Sequence, residues 1–304
     1  MNPQVETLVA MIRDRLASHE GPEGAAAAIL AEWERLPIQV DGSLRRNLDK
    51  AAKVVRDSFE NVVILRRNSL IKDREEWYQG PSAYSHHWNA LNAYLRNTKD
   101  WGEHAVESID VSSNEVVSLL ENPTREEPCK KFSCRGLVVG YVQSGKTANM
   151  TAVIAKAVDA GYNLVIVLGG VTNKLRAQTQ RRMLKDIVSR HRHLWQLYTT
   201  EDENGDFTVP ANGSFTMPHE GHAQMIVMKK EGSRLRALLK TIKKTASATR
   251  RQLKVLMIDD ECDQASVNSA RDDYDMTRIN GEIRKVLAEL PAVSYVGYTA
   301  TPFA

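Results

Sequence analysis

Between residues 136 and 299 short apolar runs alternate with longer stretches of helical periodicity, and this alternation restricts the fold more than any other feature of the chain. The runs are GLVVG (136–140), NLVIVLGG (163–170), QMIVM (224–228), KVLMID (254–259) and the less apolar SYVGYT (294–299). Runs of five to eight residues without polar alternation suit strands buried on both faces. The stretches between most of them, 147–160, 175–190, 233–246 and 277–289, read as helices. Strands alternating with helices predict an α/β domain, a parallel sheet covered on both sides. Segment 199–222, polar and rich in Gly, Pro and Asn, reads as a long loop or a small β insertion.

The chain before this region differs. Val5, Leu8, Val9, Ile12 and Leu16 recur at helical spacing. Gly21-Pro22, Pro37, Asp41-Gly42 and Gly80-Pro81 punctuate further helical stretches, with Ser43 as a cap of the third. Trp88, Leu91, Tyr94 and Leu95 line another helical face, with His86-His87 at its start as surface or packing histidines. Ser112 and Glu115 have capping-box spacing before Val116 and Val117, with Asn122-Pro123 ending that helix. The polar, Pro-containing segment 126–131 marks a boundary, so the expected division is a helical N-terminal region (1–125) and an α/β domain (126–304).

A chain of 304 residues is long enough for one large or two ordinary domains. Its 41 Lys+Arg against 38 Asp+Glu do not by themselves point to nucleic acid. No run approaches the ~18 apolar residues of a membrane span, and the N-terminus lacks a signal peptide's apolar centre. Three cysteines, with Cys129 and Cys134 spaced CxxxxC and no second pair, read as reduced thiols. A cytoplasmic protein without a membrane partner is expected.

Three motifs carry chemistry. Gly140-Tyr141-Val142-Gln143-Ser144-Gly145-Lys146-Thr147 fits GxxxxGK(S/T), between an apolar strand and a helix. In such a loop successive backbone N–H groups and a helix N-terminus surround phosphates. Gly140, Gln143, Ser144 and Gly145 would form the cradle, Lys146 would neutralise β/γ-phosphate charge and Thr147 would ligate Mg²⁺. Next, Val255-Leu256-Met257-Ile258-Asp259-Asp260-Glu261 reads as an apolar strand ending in three acids. Asp260 is assigned to the metal and Glu261 to the catalytic base, with Asp259 and Asp263 as alternative or supporting carboxylates. Finally, Thr299-Ala300-Thr301-Pro302 follows the last strand, where Thr299 and Thr301 would sense the γ-phosphate through the acidic motif; Asp263, Thr299 and Thr301 are thus the coupling residues. The cofactors implied are ATP and Mg²⁺.

Two stretches are strongly basic. Residues 174–192 and 229–254 together hold seventeen Lys and Arg against Asp186 and Glu231. They read either as solvated helix faces or as phosphate-backbone contacts. On the second reading Arg176, Arg181, Arg182, Lys243 and Lys244 are the nucleic-acid contacts. The second stretch has no aromatic to stack on bases.

In their order, GxxxxGKT, then Asp260-Glu261-Cys262-Asp263 in the place of a DExD box, then TAT, the motifs resemble the first RecA-like domain of superfamily-two helicases. More narrowly, residues 135–170, 175–182, 258–268 and 295–304, with weaker similarity over 77–95, resemble the Z-one domain family. That family carries an endonuclease label and is associated with bacterial helicase-like and phage-defence proteins. The resemblance implies a RecA-like P-loop fold and an ATP-dependent motor or remodeller of nucleic acid, DNA rather than RNA, in defence or repair. It also implies a second RecA-like domain with arginine fingers. The chain stops soon after TATP, so a truncated protein, or one completed by a partner chain, is expected. Cys262 stands where the family usually has Ala. No metal-nuclease pattern is readable, which leaves a metal-dependent endonuclease using Asp260, Glu261 and Asp263, and a nucleotide-gated module docking a partner protein through residues 1–125, as the alternative functions.

Overall fold

The computed structural model describes residues 3–15, 21–35, 42–60, 77–124, 132–139, 143–262 and 272–299. The chain forms two compact units, residues 1–64 and 65–304. In the first, helices α1 (Pro3–Arg15), α2 (Gly21–Trp33) and α3 (Gly42–Glu60) enclose a core of Val5, Leu8, Val9, Ile12, Ala25, Ile29, Leu48, Ala51 and Val55. Exposed ion pairs Arg15–Glu32 and Arg45–Glu34 tie its helices together. Ser43 lies inside the first turn of α3 and not at its cap, because the helix already begins at Gly42.

The second unit opens with α4 (His86–Asn97) and α5 (Glu103–Ser118), followed by β1 (Phe132–Val139), α6 (Gln143–Asp159), β2 (Leu164–Leu168), α7 (Asn173–Asp186) and β3 (Trp195–Leu197). It continues with β4 (Ala223–Met228), α8 (Gly232–Lys244), the short α9 (Ser247–Gln252), β5 (Val255–Asp259), α10 (Asp272–Glu289) and β6 (Ala292–Thr299). The strands form one six-stranded sheet, β1-β6-β5-β2-β4-β3, in which every neighbouring pair is parallel. The architecture is therefore α/β.

Alternation along the strands assigns the two faces. Val165 and Val167 of β2 join Met225, Val227, Leu256 and Ile258 in a core with Met150, Val153 and Ile154 of α6 and Met183 of α7. Leu164, Ile166 and Leu168 join Met228, Val255 and Met257 in the opposite core, with Leu235, Leu238 and Ile242 of α8 and Ile283 and Val286 of α10. The chain thus leaves β1 over one face toward β3 and returns over the other. A sheet wound this way gathers its loops at the carboxyl ends of the strands, where connections diverge to opposite faces and ligands bind.

Three differences from the sequence reading have physical causes, and one open choice is decided. α5 runs through Ser112, whose hydroxyl donates to Ile109 O at 3.3 Å, so Ser112 and Glu115 are mid-helix residues and not a capping box. α4 and α5 belong to the same compact unit as the sheet. Trp88, Leu91, Leu95, Val106 and Ile109 bury against Ala152 and Ala155 of α6, so the contact-based division falls at 64/65 and not at 125/126. β1 begins at Phe132, four residues early, because its polar start pairs in register with β6 from Phe132↔Ala292. Segment 199–222 is a loop with its own apolar anchor. Phe207 and Phe215 are buried and pack on Tyr198 with ring centroids 6.4 and 5.3 Å away.

Candidate nucleotide site at the carboxyl edge of the sheet

The register places the three motifs together. Val139, the last residue of β1, is paired with Thr299 at the end of β6, and Asp259 at the end of β5 is paired with Gly297 of β6. Three residues after β1 the chain enters α6, whose first turns carry Gly145, Lys146 and Thr147. Gly140, Asp263 and Thr301 lie outside the described residues, as do the side chains of Gln143 and Ser144.

Lys146 is 8% exposed, and among the described residues its Nζ makes no ion pair and no hydrogen bond. A buried ammonium without a partner is costly. The charge nearest in effect is Asp260, which also has no ion pair among the described residues. Burial pushes the Asp260 carboxyl above its ordinary value. Lys146, Lys230, the Glu261 backbone N–H and Arg182 oppose that rise. Behind Lys146, Asn149 of α6 accepts a hydrogen bond from Tyr298 Oη at 3.0 Å and donates to Ser112 Oγ at 2.9 Å. Burial, reinforced by Asp260, holds the Tyr298 phenol far above its usual titration range, so it stays protonated.

The three acids have different fates. Asp259 is committed to the scaffold. One oxygen lies 2.7 Å from Lys230 Nζ, and the other accepts the Tyr295 hydroxyl at 2.6 Å. Asp260 is the open carboxylate. Glu261 occupies the left-handed region at φ +53°, and Cys262 N–H closes the turn on Tyr298 O at 2.9 Å. Gly297 makes this packing possible, since a Cβ there would meet Cys262 Sγ at 3.0 Å. Gly170, at φ +75° after β2, leaves room for Leu175, while Thr172 caps α7 by accepting Leu175 N–H at 3.2 Å. Thr299 is buried beside the end of β1.

The basic stretches are less available than their sequence suggests. Arg176 is not a nucleic-acid contact. Its guanidinium is fully buried and donates to the carbonyls of Thr200, Asp202 and Gly205, fastening the 199–206 loop. Lys230 serves the acidic turn, and Arg234 pairs with Asp206 at 3.3 Å. Lys243 and Arg250 both face Glu289 of α10, at 3.5 and 3.8 Å. Arg190 lies over the Tyr94 ring at 3.9 Å. Arg181 and Lys244 are exposed, and Arg182 is half-buried within the field of Asp260.

Lys230 is the residue that sequence reasoning missed. Nothing in a run of ten bases marks the one that turns inward, except its place two residues after an apolar strand. Among the described residues no group of three or more His, Cys, Asp or Glu is arranged to hold a metal ion, and no helix is long and apolar enough to cross a membrane. The chain matches no family model, no curated protein and no solved structure.

Proposed function

We propose that residues 65–304 form a RecA-like P-loop domain that binds Mg-ATP at this edge and hydrolyses it as the ATPase of a helicase-like DNA motor or remodeller. The observation that carries the reading is buried Lys146 at the start of α6 and Asp260 just after β5, two opposite charges within each other's field at one strand edge that form no ion pair among the described residues. An anion with a bound divalent cation satisfies both. The donor set fits Mg²⁺, which is usually held by one or two carboxylates together with substrate phosphates and does not need an all-protein cage. Asp260 and the Thr147 hydroxyl would hold the ion, which supplies charge neutralisation between β- and γ-oxygens when bound.

The chain's own residues then divide the work. Lys146 and the first amides of α6 bind and orient the phosphates. Glu261, turned out of the strand direction by its left-handed backbone, orients the attacking water. Asn149 and protonated Tyr298 keep the floor of the site neutral, so the lysine's charge is directed at the ligand. Thr299 lies where a change at the end of β1 reaches β6.

Titration of a fluorescent ATP analogue with and without Mg²⁺ tests the binding step. Saturable binding that is lost in Lys146→Ala, and that loses its Mg²⁺ dependence in Asp260→Asn, is expected. Equal binding by wild type and Lys146→Ala overturns the reading. The burial of Arg176 and Lys230, together with the pairing of Lys243 and Arg250 to Glu289, favours a second reading, a nucleotide-switched module that docks a partner protein and makes no DNA track. DNA-independent hydrolysis together with no DNA binding at physiological salt would select it.

A further inference from the structure

Lys230 belongs to a run that reads as surface charge, yet it is only 7% exposed. Besides its contact with Asp259, its Nζ donates to the backbone oxygen of Glu261 at 2.7 Å. Its own backbone N–H donates to Gly170 O at 3.1 Å. One residue thus joins the segments that follow β2, β4 and β5. The backbone of the turn at 259–262 is also held by Asp260 N–H to Leu168 O at 3.2 Å and Cys262 N–H to Tyr298 O. Both are backbone bonds that flank Glu261, and neither restrains its carbonyl. A non-glycine residue stays in the left-handed region only where its surroundings over-determine it. At Glu261 the Lys230 ammonium supplies that restraint.

We propose that Lys230 is the positioning residue of the acidic turn. By satisfying Asp259 and pinning the Glu261 carbonyl, it fixes which carboxylate is structural and leaves Asp260 open toward Lys146. The pin itself follows from the contacts above; its consequence for hydrolysis rests on the nucleotide reading. Loss of the ammonium leaves Asp259 without a counter-charge, held only by Tyr295, beside Asp260 and lets Glu261 relax toward ordinary backbone, which displaces its side chain from the water it orients.

Cys262, a thiol outside any disulfide and one residue beyond Glu261, reports on the turn. In the full chain, its alkylation by N-ethylmaleimide is followed peptide by peptide, with Cys134 on β1 as the internal control. Lys230→Met raises the Cys262 rate about tenfold, as expected for a local opening that leaves the rest of the fold intact, while the Cys134 rate stays unchanged. Lys230→Arg, which keeps a charge and donors, restores most of the protection. If Lys230→Met does not fold, the charge-balanced double variant Lys230→Met/Asp259→Asn gives the same readout, because its Glu261 carbonyl is still unpinned. An unchanged Cys262 rate in both variants overturns the proposal.

Mg-ATP kinetics supply the second arm. Lys230→Met keeps KM within a few-fold and lowers kcat about 10²-fold, the scale for a catalytic group held out of place. A proportional loss of ATP affinity would instead make Lys230 a binding charge and overturn the positioning role. If wild type does not bind Mg-ATP at all, the nucleotide reading falls, and the alkylation arm still decides whether the pin exists.

Discussion

Helix α6 buries two lysines, ten residues apart, in opposite ways. Lys156, near its end, is fully enclosed and surrounded by acceptors: the Asp110 carboxylate at 2.5 Å, the Asp110 carbonyl, Ser113 Oγ and Asn114 Oδ1 each at 2.7 Å, with the Trp88 ring 4.0 Å away. Lys146, at its start, is nearly as buried and has none of these among the described residues. Burial still pushes the Lys156 ammonium down to about 8, against the pull of Asp110, which shows what enclosing a cation costs even with four oxygens to hold it. The comparison separates a lysine that fastens α5 and α4 to α6 from one that, on the nucleotide reading proposed above, is kept for a ligand. A chain that left Lys146 unpaired for no purpose would carry that cost without return.

The largest effect should come from removing the unpaired lysine. Lys146→Ala is expected to lower Mg-ATP turnover by on the order of 10²–10³-fold, the scale for losing one donor to developing charge. Thermal stability should stay nearly equal, because no ion pair or hydrogen bond of Lys146 among the described residues is lost. A fall in melting temperature matching that of Lys156→Met would make the two lysines equivalent and remove the distinction. Lys156→Met should do the reverse. Four acceptors lose their donor, but Asp110 is partly exposed and can take up water, so a loss of about 2–3 kcal/mol is expected. Chemical denaturation measures it, and nucleotide affinity of the folded protein should be unaltered.

The other end of the sheet offers a pH test of the α4–α6 junction. Asp159, the last residue of α6, accepts the backbone N–H groups of His87 and Trp88 and so caps α4, which has no side-chain cap of its own. Burial first, then His191 and His86, hold His87 down to about 4. The unfolded chain, with an ordinary imidazole, takes up its proton first as the pH falls from about 6.5 to about 4. Stability is therefore complete above that window and lost through it. His191 and Trp195 face the ring edge-on, His86 adds its charge, and the buried Asp159 carboxyl, itself pushed up, works in the opposite sense at the acid end. A net loss of about 1–2 kcal/mol is expected, and His87→Leu should flatten the profile. An unchanged slope in that variant would move the titration to another group.

The same contrast between partnered and unpartnered charge explains what was legible in the sequence. Apolar runs announced five of the six strands: β2, β4 and β5 are buried on both faces and have no polar positions to disguise them, while β1, at the sheet edge with Leu137 exposed, was legible only over its apolar end. β3 went unseen. Its three residues, Trp195, Gln196 and Leu197, lie at the sheet edge, where Gln196 meets solvent. The phosphate-loop pattern and the acids after β5 were visible because their chemistry is tied to spacing along the chain. That Asp259 is the engaged carboxylate was not legible, because its partners Lys230 and Tyr295 lie 29 and 36 residues away. Arg176 shows the limit most plainly. Its charge and position on α7 read as a phosphate contact, and only the fold of the loop at 199–206 turns it inward.

The smallest effect concerns the bases left outside. Arg181 and Lys244 are exposed, whereas Arg176 and Lys230 are consumed internally and Lys243 is shared with Glu289. If this domain tracks along DNA, Arg181→Ala and Lys244→Ala should each weaken binding only a few-fold, uniformly across sequences, and each should reduce the slope of log affinity against log salt by about one. Arg176→Met should instead destabilise the fold and leave the salt slope of the folded fraction unchanged, because its guanidinium meets carbonyls and no phosphate. Fluorescence anisotropy of a labelled duplex over a salt series separates the two classes. If Arg176 moved the slope and the exposed pair did not, the inward and outward assignment of these bases would be reversed. If none of the three moved it, no DNA path would cross this face, and the nucleotide-switched module would be the better account of a site whose charges are mostly spent inside the protein.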